Sequence, residues 1–143
     1  MFRHVVLDTS VIVKWFRQGE VLADKALALR TAYLEGHTLI SAPTLIAYEL
    51  ANALRYKNDL TTDQVEDAVQ SLFDLELEWV SPSARVMRRA VVTARESDVS
   101  VYDATFVALA ELQNAIFITA DEQLANRLEQ LPFVRFLGDV GEE

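Results

Sequence analysis

Four carboxylates of this chain occupy positions where a charge is costly. Asp8 ends the apolar run Val5-Val6-Leu7, and Asp121 follows a second run, Ile116-Phe117-Ile118, by way of Thr119-Ala120. Glu49 is the sole charged residue between Pro43 and Leu54, and Asp103 is the sole one between Val99 and Ala110. Burying a carboxylate is unfavourable unless it is paired, hydrogen-bonded or bound to a cation. Four of them brought to one place would form an oxygen-donor site of the kind hard divalent cations occupy. A cation held there could neutralise a phosphate and activate water against it.

Each acid also has an ordinary explanation, and at this level both readings stand. Asp8 could cap the helix that follows, since Asp, Thr and Ser all accept hydrogen bonds from free first-turn amides. Glu49 lies beside the stripe of Ile46, Leu50, Ala53 and Leu54, where a boundary residue would be partly solvated. Asp103, third after Ser100, could complete a capping box or meet the helix dipole. Thr119 and Glu122 have capping-box spacing, which would leave Asp121, one place earlier, free to face a crevice.

The acids need elements that draw them together. Val5, Val6 and Leu7 show no polar alternation, as in a central parallel strand buried on both faces. Val11, Ile12, Trp15 and Phe16 then recur at helical spacing, so Asp8 falls at the carboxyl end of the strand, where open α/β sheets bind ligands. The first helix closes at Gly19 and Glu20, and a second runs from Leu22 to about Glu35. A strand over Thr38 to Ser41 precedes a third helix, with Pro43 in its first turn, that reaches about Lys57. A Thr61/Gln64 capping box opens a fourth helix to about Leu77, followed by a brief strand from Glu78 to Val80. Ser81-Pro82-Ser83 starts a fifth helix to Ser97, and Ser100 a sixth from Val101 to Gln113. A strand from Ala115 to Thr119, a seventh helix from Asp121 to Leu131, an edge strand from Val134 to Phe136 and a polar tail complete the chain. Alternating strands and helices predict a three-layer α/β/α sandwich around a parallel sheet with right-handed crossovers. The strands ending at Asp8 and near Asp121 form its centre, with a crevice between their carboxyl ends.

Composition narrows the chemistry. A chain of 143 residues fits one domain, spanning residues 1–143, with a core that needs no staple. It has no cysteine and only two histidines, His4 and His37, which excludes thiolate zinc sites, thiol nucleophiles and a histidine-rich metal centre. No apolar run reaches the roughly 20 residues that span a bilayer, and the amino terminus lacks the pattern of a secretion signal, so a soluble cytoplasmic protein is expected. The net charge of −9 argues against holding nucleic acid by a simple basic surface, but not against a nuclease whose cations sit among its acids, and it favours basic protein partners.

With these residues in place, the chain resembles the PIN domain family, and most closely the VapC-type toxin ribonucleases of toxin–antitoxin pairs. The resemblance covers essentially the whole chain. It rests on Val-Leu-Asp8-Thr9-Ser10, Tyr48-Glu49-Leu-Ala-Asn-Ala-Leu, Tyr102-Asp103-Ala-Thr-Phe-Val-Ala-Leu-Ala and Ile-Thr119-Ala-Asp121, in this order and spacing. It implies a sheet of five strands in the order 3-2-1-4-5 and an acidic cluster of Asp8, Glu49, Asp103 and Asp121, with Thr9, Ser10 and Thr119 as hydroxyl partners. In this reading Asp8 and Asp103 bind the principal Mg²⁺ or Mn²⁺. Glu49 and Asp121 orient water, complete a second metal site or accept the proton of the attacking water. The implied reaction is endoribonucleolytic hydrolysis giving a 5′-phosphate and a 3′-hydroxyl. A homodimer and an antitoxin partner are implied as well.

RNA contacts are expected from Lys14 and Arg17, two turns beyond the acidic strand end. Arg85, Arg88, Arg89 and Arg95 form either a further contact or a solvated basic helix face. The competing classes fare poorly. A receiver or phosphotransfer domain wants a second acid beside the first and a lysine late in the chain, whereas the last lysine here is Lys57. There is no Gly-x-Ser-x-Gly turn, and with glycines only at positions 19, 36, 138 and 141 there is no phosphate-binding loop. The remaining alternative is a non-catalytic PIN-fold module that binds protein or RNA.

Overall fold

The computed structural model describes residues 2–141. Its centre is β1 (His4–Leu7), paired in parallel with β2 (Leu39–Pro43) on one side and β4 (Ile116–Thr119) on the other. β3 (Glu78–Val80) and β5 (Val134–Phe136) form the edges, giving a five-stranded parallel sheet in the order β3-β2-β1-β4-β5. Val5, Val6 and Leu7 are all fully buried, as their unbroken apolar run requires of a strand covered on both faces.

The cover comes from α1 (Thr9–Phe16), α2 (Ala23–Leu34), α3 (Leu45–Arg55) and α4 (Thr62–Asp74) on one side, with α1 against β1 and β4 and α3 against β2. On the other side α6 (Val101–Leu112) crosses β1, β2 and β4, and α5 (Ala84–Ser97) packs outside it. α7 (Glu122–Arg127) lies beside β4 and β5, and a 3₁₀ turn (Leu137–Asp139) follows β5. The three-layer sandwich read from the sequence is the observed architecture. Every residue from Ala104 to Ala110 is buried, so α6 is an interior helix, as its lack of a polar face predicted. Its outer contact with α5 is a seam of small residues, Ala90 and Ala94 against Ala104 and Ala108, closed by Val86. Alanine at these positions lets the two backbones approach closely.

Local chemistry explains the boundaries. Thr61 accepts the Gln64 amide at 3.2 Å and Gln64 returns a bond to the Thr61 amide at 2.8 Å, the reciprocal box expected there. Ser83 and Ser100 cap α5 and α6 through Val86 and Asp103 amides.

Three expectations are corrected. Pro43 ends β2, in register with Val80, and does not open α3; at the strand's last position its missing N–H leaves no broken ladder, and the Thr44 amide bonds the Val80 carbonyl at 3.0 Å. α4 stops at Asp74 because Glu76 takes a left-handed conformation, φ 52°, which turns Leu77 into the core. α7 stops at Arg127, four residues before Leu131, in keeping with Pro132 disfavouring helical backbone at the residue before it. Of the polar tail, Glu142 and Glu143 lie outside the described residues.

The α5–α6 seam yields a test of the packing. Ala108→Leu would insert three heavy atoms where backbones meet, and overpacking of this kind costs about 1–3 kcal/mol. Urea denaturation should show that loss, and an unchanged midpoint would contradict the close approach described here.

Candidate active site

The β1–β4 register sets the geometry. Leu7 pairs with Ile118, and the Asp8 amide continues the ladder by donating to the Ile118 carbonyl at 2.9 Å. Asp8 is thereby drawn beside Thr119, at the carboxyl ends of the two central strands. Thr119 is fully buried and Asp8 is only 6% exposed.

Two hydroxyls hold the Asp8 carboxylate. Ser10 Oγ and Thr119 Oγ1 each donate to Oδ2 at 2.8 Å. Both are oriented from behind by main-chain donors, since the Ala120 amide donates to Ser10 Oγ at 2.9 Å and the Asp121 amide to Thr119 Oγ1 at 3.0 Å. Each hydroxyl thus passes a backbone N–H on to a carboxylate. Asp8 itself makes no side-chain cap to α1, so the capping explanation for it fails. Thr9 Oγ1 donates to Glu49 Oε1 at 2.7 Å, which ties α3 to the first turn of α1.

Asp103 and Asp121 share a small polar cleft of about 170 Å³, lined also by Ser100, Asp98, Gln123 and Arg127. The expected Thr119/Glu122 box is replaced. Asp121 is itself the N-cap of α7, accepting the Leu124 amide on Oδ1 at 3.1 Å, because Thr119 is already committed to Asp8. Asp98 and Arg127 were missed as cleft residues. Their pairing at 3.6 Å, with Arg127 also bonded to the Asp98 carbonyl, spans 29 positions and leaves no local sequence signal.

The charges act on one another. Burial pushes the Asp8 carboxyl above its ordinary range and Asp103 adds to the effect, against the lowering by Thr119 and Ser10. Glu49 is raised first by burial and then by Asp8 and Asp103. Asp103 is raised by burial and by Asp121, with Ser100 opposing. The four acids therefore form one electrostatic unit, in which none is ion-paired to a Lys, Arg or His among the described residues. Among those residues no three Asp, Glu, His or Cys side chains converge closely enough to hold a metal ion by themselves. The donor set nevertheless suits a hard cation, being made only of carboxylate and hydroxyl oxygens. Mg²⁺ commonly binds through one or two carboxylates while keeping several waters.

Lys14 and Arg17 are held by acids outside this group. Lys14 Nζ is 3.7 Å from Glu20, and Arg17 binds Glu20 and Asp59, at 3.1 Å for the latter. Of the four arginines on α5, Arg89 is bound in two-pronged fashion to Glu111 of α6, while Arg85, Arg88 and Arg95 are exposed.

This geometry coincides with a family assignment. The PIN domain family model matches residues 5–129. The chain belongs to the PIN domain family. Its similarity to Ribonuclease VapC3 of Pyrobaculum aerophilum is 32% identity over 131 residues, covering 89% of this chain and 96% of that protein. Solved PIN-type structures share the fold at lower identity. VapBC2 from Rickettsia felis, bound to a promoter DNA fragment, superposes with a TM-score of 0.68 at 14% identity, over 93% of this chain and 96% of that one. The sarcin-ricin loop cleaving toxin VapC20 of Mycobacterium tuberculosis gives 0.66 at 13% identity, over 85% and 93%.

The raised acids fix a sign. A carboxyl whose pKa is higher folded than unfolded binds more protons in the folded state between the two values, so stability falls as pH rises through that window. Asp103→Asn removes one such group while sparing the Ser100 cap. In EDTA the variant should melt about 2–5 °C above the parent near pH 7.5, and the gap should close below about pH 3, where even ordinary carboxylates are largely protonated. Thermal melts across this range check it; a gap that does not vary with pH would contradict the coupling.

Proposed function

We propose that this PIN domain is a metal-dependent endoribonuclease, the toxin of a toxin–antitoxin pair, and that residues 1–143 act as its single nuclease domain. The observation that carries the reading is the buried Asp8 carboxylate, held by two hydroxyls in a group of acids with no basic partner among the described residues. The names of its relatives, a ribonuclease VapC3 and several toxin–antitoxin complexes, support the substrate class and the partner.

In this mechanism Asp8 and Asp103 would hold a Mg²⁺ or Mn²⁺ ion, with Glu49 and Asp121 beside them. When bound, such an ion lowers the pKa of water and neutralises charge on the phosphate. Ser10 and Thr119 keep Asp8 in one rotamer, so the site needs little reorganisation. Water attacks phosphorus in line with the leaving 3′ oxygen. Glu49, held by Thr9 and raised by burial, accepts the proton of that water, and Asp121 orients it through the carboxylate oxygen not used in capping α7. The leaving 3′ oxygen takes a proton from solvent, so the products carry a 5′-phosphate and a 3′-hydroxyl. No histidine base is needed.

The antitoxin places a basic side chain among these acids, in keeping with the net charge of −9, and the active form is a homodimer. The protein works in the cytoplasm; among the described residues no helix is long and apolar enough to cross a membrane.

Cleavage of structured and single-stranded RNA, with and without Mg²⁺ or Mn²⁺, tests the proposal. Asp8→Asn and Asp103→Asn should each lose about 10²-fold or more in rate while remaining folded, and either metal should raise the melting temperature of the parent more than that of the variants. If parent and variants are equally inert and none binds metal, the acids are structural and the domain is a non-catalytic binding module.

A further inference from the structure

We propose that Tyr48 and Tyr102 are stacking platforms for unpaired bases of the RNA beside the scissile phosphate, an inference that rests on the ribonuclease reading above. The chain has four tyrosines, and the structure divides them into two kinds. Tyr33 donates its hydroxyl to the carbonyls of Leu75 and Glu76, and the Tyr56 ring carries the Arg55 guanidinium at 4.4 Å. Tyr48 and Tyr102 have no such partner among the described residues, yet they are 76% and 64% exposed. Each is the residue immediately before a candidate acid, Glu49 on α3 and Asp103 on α6. Two rings of this size left in water, each next to a half-buried carboxylate, serve no visible purpose in the fold.

The surroundings point to the occupant. Tyr102 lines an apolar groove of about 230 Å³ with Leu45, Val80, Pro82, Met87 and Val101. Tyr48 stands one turn after Leu45 on the same face of α3. The next residue, Asp103, lines the acidic cleft instead. The first turn of α6 therefore divides an apolar groove from a site for cation and phosphate, as a nucleotide divides into a flat base and an anionic phosphate.

Charge favours the same occupant. Lys14 and Arg17 are engaged by Glu20 and Asp59, and Arg127 by Asp98. Arg85 and Arg88 of α5, exposed beside Val86 and Met87 of the groove, are left to meet phosphates, and on a chain of net charge −9 a neutral contact adds to the hold on RNA. Stacking on aromatic rings is such a contact, and it tolerates any base.

The test uses the full-length protein with Mg²⁺ and single-stranded RNA in which 2-aminopurine, whose fluorescence is quenched on stacking, replaces adenine. Binding to the parent should quench the probe. Tyr48→Ala and Tyr102→Ala should each raise KM between about fivefold and 150-fold, the span for one base on one ring, with kcat less affected. Tyr48→Phe and Tyr102→Phe should behave like the parent. Alanine variants with the parent's KM would overturn the inference while leaving the ribonuclease reading intact. Phenylalanine variants as weak as the alanine ones would overturn it in favour of a hydroxyl contact. Alanine variants that turn a dimer into a monomer by light scattering would overturn it in favour of an interface between copies. A parent that neither binds nor cleaves RNA would sink both readings together.

Discussion

A buried carboxylate bonded by two hydroxyls is the constraint on which this molecule turns. Asp8 cannot be stable at the end of β1 without Ser10 and Thr119, and those hydroxyls can serve it only if the Ala120 and Asp121 amides hold them from behind. The arrangement depends on the β1–β4 register. A slip by one residue would turn every side chain of β1 to the opposite face, taking Asp8 away from Thr119 and Val5 and Leu7 out of their layer. Strand pairing, core packing and the acidic site therefore select the same alignment.

The opposite face of the sheet contributes through α6, which carries two tasks in one sequence. Its interior turns are filled with Phe106, Val107 and Leu109, while alanines let α5 close over it. Its first turn must present Asp103 toward the other acids. The Ser100 cap reconciles the two by starting the helix at the rim of the cleft and not within the core. Carboxylate repulsion across the rim is a strain that the close-packed layers beneath it are rigid enough to bear.

Sequence patterning carried much of this because the decisive signals were short-range. An apolar run that stops at an acid, a helix with a single charge and a Thr-x-x-Gln box are all legible within a dozen residues. Where the reading failed, the cause was a partner far along the chain or a competing local rule. Thr119 was free to cap with Glu122 until Asp8, 111 positions away, took its hydroxyl. The Asp98–Arg127 pair, 29 positions apart, likewise left no local trace. Pro43 suited a helix start equally well as a strand end, and only its register with Val80 decides between them.

That long-range bond has a consequence for how the protein comes into being. The middle strand of the sheet is made well before its neighbour β4, which begins only at Ile116. Until most of the chain has been made, one edge of β1 has no ladder partner and Asp8 lacks half of its hydroxyl support. The acidic site thus matures only after β4 has been made, and a chain cut short before Thr119 could keep β1–β2 pairing yet never assemble it. Topology makes the completeness of this site a readout of synthesis having passed β4.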